Sequence, residues 1–215
     1  MVWVADIECF GLRLTMLRLY GIPTSGNCYK VELLLKQLGI PYEGISVNSR
    51  QGENRLPEYL AKNPFGQIPA LELESGVVLA ESAAILVYLA EDTPMYGQTK
   101  LERAEILKWL FFEQTRIARY IATTRFWVRA GQAEANASLI EQNLKLGTDA
   151  LRIMNTHLEG KTFFVGERYT IADVALFTYT HVAEQGGFDL KPFPSIQAWC
   201  QRVQETDQFF PLPGA

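Results

Sequence analysis

The sequence predicts an α/β unit followed by an all-helical one, and three observations carry that prediction. Between residues 16 and 92, strand signals and helix signals alternate. From about residue 97 onward strand signals vanish, while apolar residues recur three and four positions apart, the spacing of one buried helix face. The run "EDTP" (91–94) separates the halves with turn and helix-stop chemistry. Two domains are therefore expected, residues 16–92 and residues 97–215.

The first half opens on "MLRLY" (16–20), whose alternating leucines read as a strand. "GIPTSG" is turn chemistry. From Asn27, "NCYKVELLLKQLG" places Val31, Leu34, Leu35 and Leu38 on one helical face, and Gly39 supplies the stop. "YEGISV" reads as a second strand, and a short helix follows around Pro57 to Ala61. Ile68–Leu73 and Val77–Ala80 form a hairpin, with "ESG" between them as the tight-turn signal. Pro69 sits at the head of a strand without an N–H for the ladder. The residues leave two readings open: a plain strand-opening proline, or a cis Ile68–Pro69 bond that turns the Ile68 backbone toward a ligand. Ser82 opens the last helix of this half. Strand, helix, strand, helix, strand, strand, helix make a layered unit with a mixed four-stranded sheet.

In the second half a helical stretch runs from about Thr99 to Arg129. It exceeds the usual length of a single helix, so a kink or break is expected. Phe112 and Phe126 within it are expected in the core. Ile140, Leu144, Gly147, Leu151, Met154 and Leu158 form one stripe, and Gly147 lets a neighbour approach closely. In "TIADVALF" (170–177), Thr170 and Asp173 form a capping pair, with Asp in the place usually held by Glu or Gln. A final helix follows Pro194, around Trp199 and Val203.

The formal net charge of −4 gives no electrostatic case for nucleic acid or anionic membrane as a partner. No apolar run approaches the roughly 18 residues of a membrane span. Cys9, Cys28 and Cys200 lie far apart without metal-ligand spacing, and with only His157 and His181 beside them no metal site is expected. No disulfide framework is visible, which fits a reducing cytoplasm. Asp6 and Glu8 stand where a signal peptide would be basic, and Met16 begins a second plausible start, so residues 1–15 read as an appendage.

Four stretches resemble the glutathione S-transferases: "LYGIPTSGNCYKVELLL" (19–35), "NPFGQIPAL" (63–71), "LAESAAILVYLAE" (79–91) and "FVGERYTIADVALF" (164–177). They stand in family order at family distances. The resemblance is to the cytosolic, bacterial-like type whose first loop carries serine or asparagine, as in delta-, theta-, beta- or nu-like classes. It implies a thioredoxin-like first domain that binds glutathione as co-substrate, a helical bundle, a cis Pro69, a homodimer and a role in detoxification. In that dimer the helix Ser82–Glu91 would line the contact. Gln67, Ile68 and Pro69 would then meet the peptide, the Ile68 backbone pairing with its cysteinyl moiety as a short added strand. Asp173 would be a folding-related cap without a catalytic role.

"ES" at 81–82 has a physical reading of its own. A helix N-terminus offers unpaired N–H groups and partial positive charge, Ser82 adds a hydroxyl, and Glu81 can face an ammonium. Together they suit the amino-acid end of a γ-glutamyl group; the plainer alternative is that Ser82 is only an N-cap. "TSGNC" (24–28) lies where the thiol of glutathione would sit, and Ser25 and Asn27 are the candidate catalytic residues that stabilise its thiolate. Cys28 is expected to pack as a small hydrophobe. Tyr20 ends the strand and so lies outside this loop. Arg116 and Tyr120, four apart on the long helix, are the candidates for the electrophile pocket, which in this family lies between the domains.

Three functions compete. The first is transfer of glutathione to a hydrophobic electrophile. The second is glutathione-dependent disulfide reduction, motivated by Asn27, with glutathione supplying the sulfur. The third is a non-catalytic interaction module on the same fold.

Overall fold

The computed structural model describes residues 3–4 and 16–214, which divide into two compact units. The first runs to Leu89 and takes in Asp207–Gly214; the second is Ala90–Thr206. The division thus falls just before the expected linker, and the last segment, which sequence reasoning placed in the helical half, groups with the first unit. The reading of residues 1–15 as an appendage lies, apart from Trp3 and Val4, outside the described residues.

The first unit is built on a mixed sheet. Strands β2 (Leu17–Gly21) and β3 (Tyr42–Ser46) run parallel, with Leu19 opposite Gly44. β4 (Ala70–Glu72) joins β2 antiparallel, with Leu19 opposite Leu71, and β5 (Val78–Ala80) closes the hairpin with Ala70 opposite Ala80. To these four strands β1 (Trp3–Val4) adds two residues, antiparallel on the outer edge of β3. The parallel pair requires a crossover, and α1 (Gly26–Gln37) supplies it. A short α2 (Pro57–Leu60) precedes the hairpin, and α3 (Ser82–Ala90) follows it.

α1 is buried on more sides than its predicted stripe. Tyr29, Val31, Leu33, Leu34 and Leu35 all have no exposed surface, whereas Leu38 is only half-buried. Part of that cover comes from the returning C-terminal segment. The Tyr29 hydroxyl donates to the Phe210 carbonyl at 2.8 Å, and their rings meet edge-on at 5.2 Å. Lys36 Nζ sits 3.8 Å over the Phe210 ring, and Leu212 is buried.

The second unit is helical. α4 (Lys100–Phe112) is capped by Thr99, whose side chain accepts from the Glu102 N–H at 3.1 Å. It passes into a π-helical stretch, Glu113–Ala122, and then into α5 (Thr123–Arg129). The expected break in the long helix is therefore a widening of the turn. Wider turns rotate the residues that follow relative to a 3.6-residue pattern. That rotation corrects one expectation, since Phe126, which follows the stretch, is 54% exposed; Phe112, which precedes it, is half-buried against Trp109 with ring centroids at 5.2 Å.

α6 (Ala137–Leu158) buries Gly147, Leu151, Met154 and Leu158, while Ile140 and Leu144 at its start are half-buried. α7 (Ile171–Thr180) is buried along its whole length and begins with the predicted capping box between Thr170 and Asp173. α8 (Pro194–Gln204) buries Ile196, Trp199 and Val203. Among the described residues no helix is long and apolar enough to cross a membrane.

Candidate functional site

Three chain turns in the first unit carry most of the residues singled out by sequence. At the first, Ser25 caps α1. Its backbone is extended (φ −79°, ψ 123°), and its hydroxyl oxygen accepts from the Cys28 N–H at 3.4 Å. Acceptance uses a lone pair and leaves the hydroxyl hydrogen available to an incoming anion. Cys28 is 3% exposed, and burial pushes its thiol up to about 11, so it stays protonated at neutral pH. A Cβ built on Gly21 would lie 2.3 Å from Cys28 Sγ, so the thiol packs against the end of β2 as a small core group. Tyr20 lies within β2, and its hydroxyl donates to Glu72 Oε2 at 2.5 Å.

The second turn is the loop leading into β4. Three side chains outside the predicted set hold its carbonyls: Asn54 Nδ2 donates to Gly66 at 2.7 Å, and Tyr59 Oη and Asn63 Nδ2 both donate to Gln67, at 2.6 and 2.7 Å. All three are buried, so water does not compete for these bonds. The Ile68–Pro69 bond is cis, the second of the two readings of Pro69. The β4 ladder begins at Ala70, which leaves the Ile68 backbone outside the strand register. Gln67 is exposed, Ile68 half-buried and Pro69 buried. A Cβ on Gly21 would also be 3.8 Å from Ile68 Cβ, which sets Ile68 beside the end of β2.

At the third turn, Glu81 adopts a left-handed backbone (φ 66°), uncommon for a residue with a side chain. Its carbonyl accepts from the Ile85 N–H at 2.9 Å, so Glu81 and not Ser82 occupies the cap position of α3. The plain N-cap reading of Ser82 is thereby corrected. Ser82, 4% exposed, directs its hydroxyl to two groups of α1: Lys30 Nζ donates to Oγ at 3.2 Å, and Asn27 Oδ1 lies 3.5 Å away. The N-terminal ends of α1 and α3 therefore meet through side chains 52 and 55 residues apart in the chain.

Lys30 was not among the predicted residues, because a lysine in a helix ordinarily reads as a solvated position. It has no exposed surface. The signal was present in its spacing, since Lys30 stands four residues before Leu34 and so shares the side that Leu34 buries. Arg116 and Tyr120 lie in the second unit, on the π-helical stretch. Arg116 is exposed, Tyr120 is half-buried, and the Arg119 guanidinium lies 5.8 Å from the Tyr120 ring centre.

The chain matches two family models in order: "Glutathione S-transferase, N-terminal domain" over residues 15–91 and "Glutathione S-transferase, C-terminal domain" over residues 106–207. It is 31% identical over 198 residues to glutathione S-transferase D7 of Drosophila melanogaster, covering 88% of this chain and 85% of that one. It is 29% identical over 197 residues to the disulfide-bond oxidoreductase YfcG of Escherichia coli, covering 88% and 90% of the two chains. The crystal structure of a glutathione S-transferase from Pseudomonas fluorescens superposes with a TM-score of 0.89 at 44% identity, covering 92% of this chain and 98% of that one. The mixed four-stranded unit is thus a thioredoxin-like domain, and the helical unit is the family's C-terminal domain. With both halves matched in order, this chain belongs to the glutathione S-transferase family.

Proposed function

We propose that the protein is a glutathione transferase, which binds glutathione, holds its sulfur as thiolate and directs it at a hydrophobic electrophile. The observation that carries this reading is the junction of the α1 and α3 N-termini through Asn27 and Ser82. Two helix N-termini side by side favour two negative groups, here a thiolate at α1 and a carboxylate at α3. Ser25 donates its hydroxyl hydrogen to the sulfur, with Asn27 assisting. Gln67 and the Ile68 backbone, fixed ahead of Pro69, pair with the peptide; Glu81 faces its ammonium and Ser82 its γ-glutamyl carboxylate. Arg116 and Tyr120 are assigned to the second substrate. We assign the activity to the cytoplasm and to a homodimer.

A free thiol titrates near 8.5, and lowering that by two units requires about 2.7 kcal/mol of preference for the thiolate. One hydroxyl bond to a charged sulfur, worth about 1.5–3 kcal/mol, together with a helix N-terminus, is of that size. Ser25→Ala is accordingly expected to raise the pKa of bound glutathione and slow turnover near neutral pH, by roughly ten- to 150-fold if the transition state uses the whole bond. Glutathione affinity should change little, since most contacts lie elsewhere. Because Ser25 also caps α1, the variant loses about 1 kcal/mol of stability and is best assayed well below its unfolding temperature.

A second reading, glutathione-dependent disulfide reduction, is favoured by the placement of Asn27 beside Ser82 and by the similarity to a disulfide-bond oxidoreductase. It predicts that Asn27→Ala costs more than Ser25→Ala. Titrating the thiolate absorbance of bound glutathione in both variants separates the two. An unchanged thiol pKa in both would leave the loop without a chemical role and favour a non-catalytic module.

A further inference from the structure

We propose that Lys30 is a positioning residue for the γ-glutamyl end of glutathione, acting through the hydroxyl of Ser82. The inference rests on the glutathione reading and adds a residue that reading does not use. An ammonium can only donate, so at 3.2 Å Lys30 Nζ obliges Ser82 Oγ to accept. A hydroxyl has one hydrogen, which must then leave in another direction. The acceptor recorded there is Asn27 Oδ1 at 3.5 Å, near the outer limit of a hydrogen bond and readily exchanged.

A carboxylate arriving at the start of α3 is a stronger acceptor for that hydrogen, since bonds from a hydroxyl to an anion are short and strong. Lys30 has no exposed surface and Ser82 only 4%, so solvent does not offer Ser82 a different arrangement. Lys30 thus presets the hydroxyl as a donor before the peptide arrives. The left-handed Glu81 immediately before Ser82 leaves the opening turn of α3 to carry the same negative group.

The test compares two peptides. Glutathione carries the α-carboxylate of its γ-glutamyl group; γ-aminobutyryl-cysteinyl-glycine has the same reach without it. Lys30→Met, similar in volume and without a donor, is expected to weaken glutathione binding roughly tenfold. The same variant should shift the decarboxylated peptide by no more than about twofold. Lys30→Met combined with Ser82→Ala should bind glutathione no more weakly than Ser82→Ala alone, because the lysine acts through that hydroxyl. Lys30→Gln, which keeps a neutral donor, should give an intermediate loss confined to glutathione.

Equal losses for the two peptides, or losses that multiply in the double variant, overturn the assignment and make Lys30 a packing residue. Failure of both Lys30 variants to fold does the same. A wild-type protein that binds glutathione while Lys30→Met leaves its affinity unchanged overturns this inference alone. A wild-type protein that does not retain glutathione at millimolar concentration overturns the glutathione reading and this one with it.

Discussion

Asp173 and His181, at opposite ends of α7, pull stability in opposite directions with pH. The Asp173 carboxylate accepts from the backbone N–H groups of Phe164 and Thr170, the Thr170 hydroxyl and Trp199 Nε1, all within 3.1 Å. Complete burial outweighs these donors and pushes its pKa up to about 6. His181 stacks on Phe177 at 4.1 Å, donates from Nδ1 to the Phe177 carbonyl at 2.7 Å, and is held down to about 4, first by burial and further by the charge of Arg125. A raised carboxyl contributes stability that is full below its unfolded value, near 3.9, and is lost as pH rises through about 6. A depressed histidine contributes stability that is full above about 6.5 and is lost as pH falls through about 4. In urea unfolding between pH 4 and 7, Asp173→Asn should therefore cost more at pH 4 than at pH 7, and His181→Gln more at pH 7 than at pH 4. Parallel curves for the two variants would contradict both assignments. The capping role of Asp173 was legible in "TIAD", because a cap is local. Its bond to Trp199, 26 residues away, was not, and neither was the bond from Lys30 to Ser82, 52 residues away, because both depend on which elements pack together.

At the scale of elements, apolar spacing located the helices and hairpins well, since burial of one face leaves a periodic trace in the sequence. It did not reveal the π-helical stretch, whose wider turns keep a plausible helical pattern while rotating Phe126 outward. Nor did it find Asn54, Tyr59 and Asn63, which hold the loop before Ile68 through bonds to carbonyls that carry no sequence signature. The stripe on α6 was legible, and its glycine yields a prediction. A Cβ on Gly147 would stand 2.4 Å from Phe188 Cε1 and 2.9 Å from Cζ, too close for any side chain. Gly147→Ala gains up to about 1 kcal/mol of helix propensity, but overpacking of a buried ring costs about 1–3 kcal/mol. A net destabilisation is expected, seen as a lower urea midpoint, and Phe188→Leu in the same chain should recover part of it. A stabilised Gly147→Ala would mean that Phe188 swings aside freely.

For the whole molecule, the homodimer assigned above concerns surfaces that a single chain leaves uncovered. Phe65 is 58% exposed and Tyr88, on α3, is 51% exposed, both in the first unit. Large apolar side chains in such positions gain most from a partner, and a stable subunit contact buries at least about 2,000 Å² in total. Light scattering at micromolar concentration should give twice the chain mass, and Tyr88→Glu should shift it toward one. A monomeric wild-type protein would remove the dimer from the proposal. The two-part architecture was legible because strand and helix signals sort so cleanly along the chain. The course of the last segment was not, since "DQFFPLPGA" carries no periodicity to say which half it joins.

That segment has a bearing on how the protein is made. Asp207–Gly214 belongs to the first unit, where Phe210 covers Tyr29, yet it leaves the ribosome only after all of Ala90–Thr206. Domains generally fold as units during synthesis, beginning from the N-terminus. Here the half that emerges first is completed last, and until then α1 lacks part of its cover. The nascent chain thus carries an unfinished apolar surface throughout the synthesis of the helical unit, a period in which a chaperone would find its substrate on the half that looks most self-sufficient.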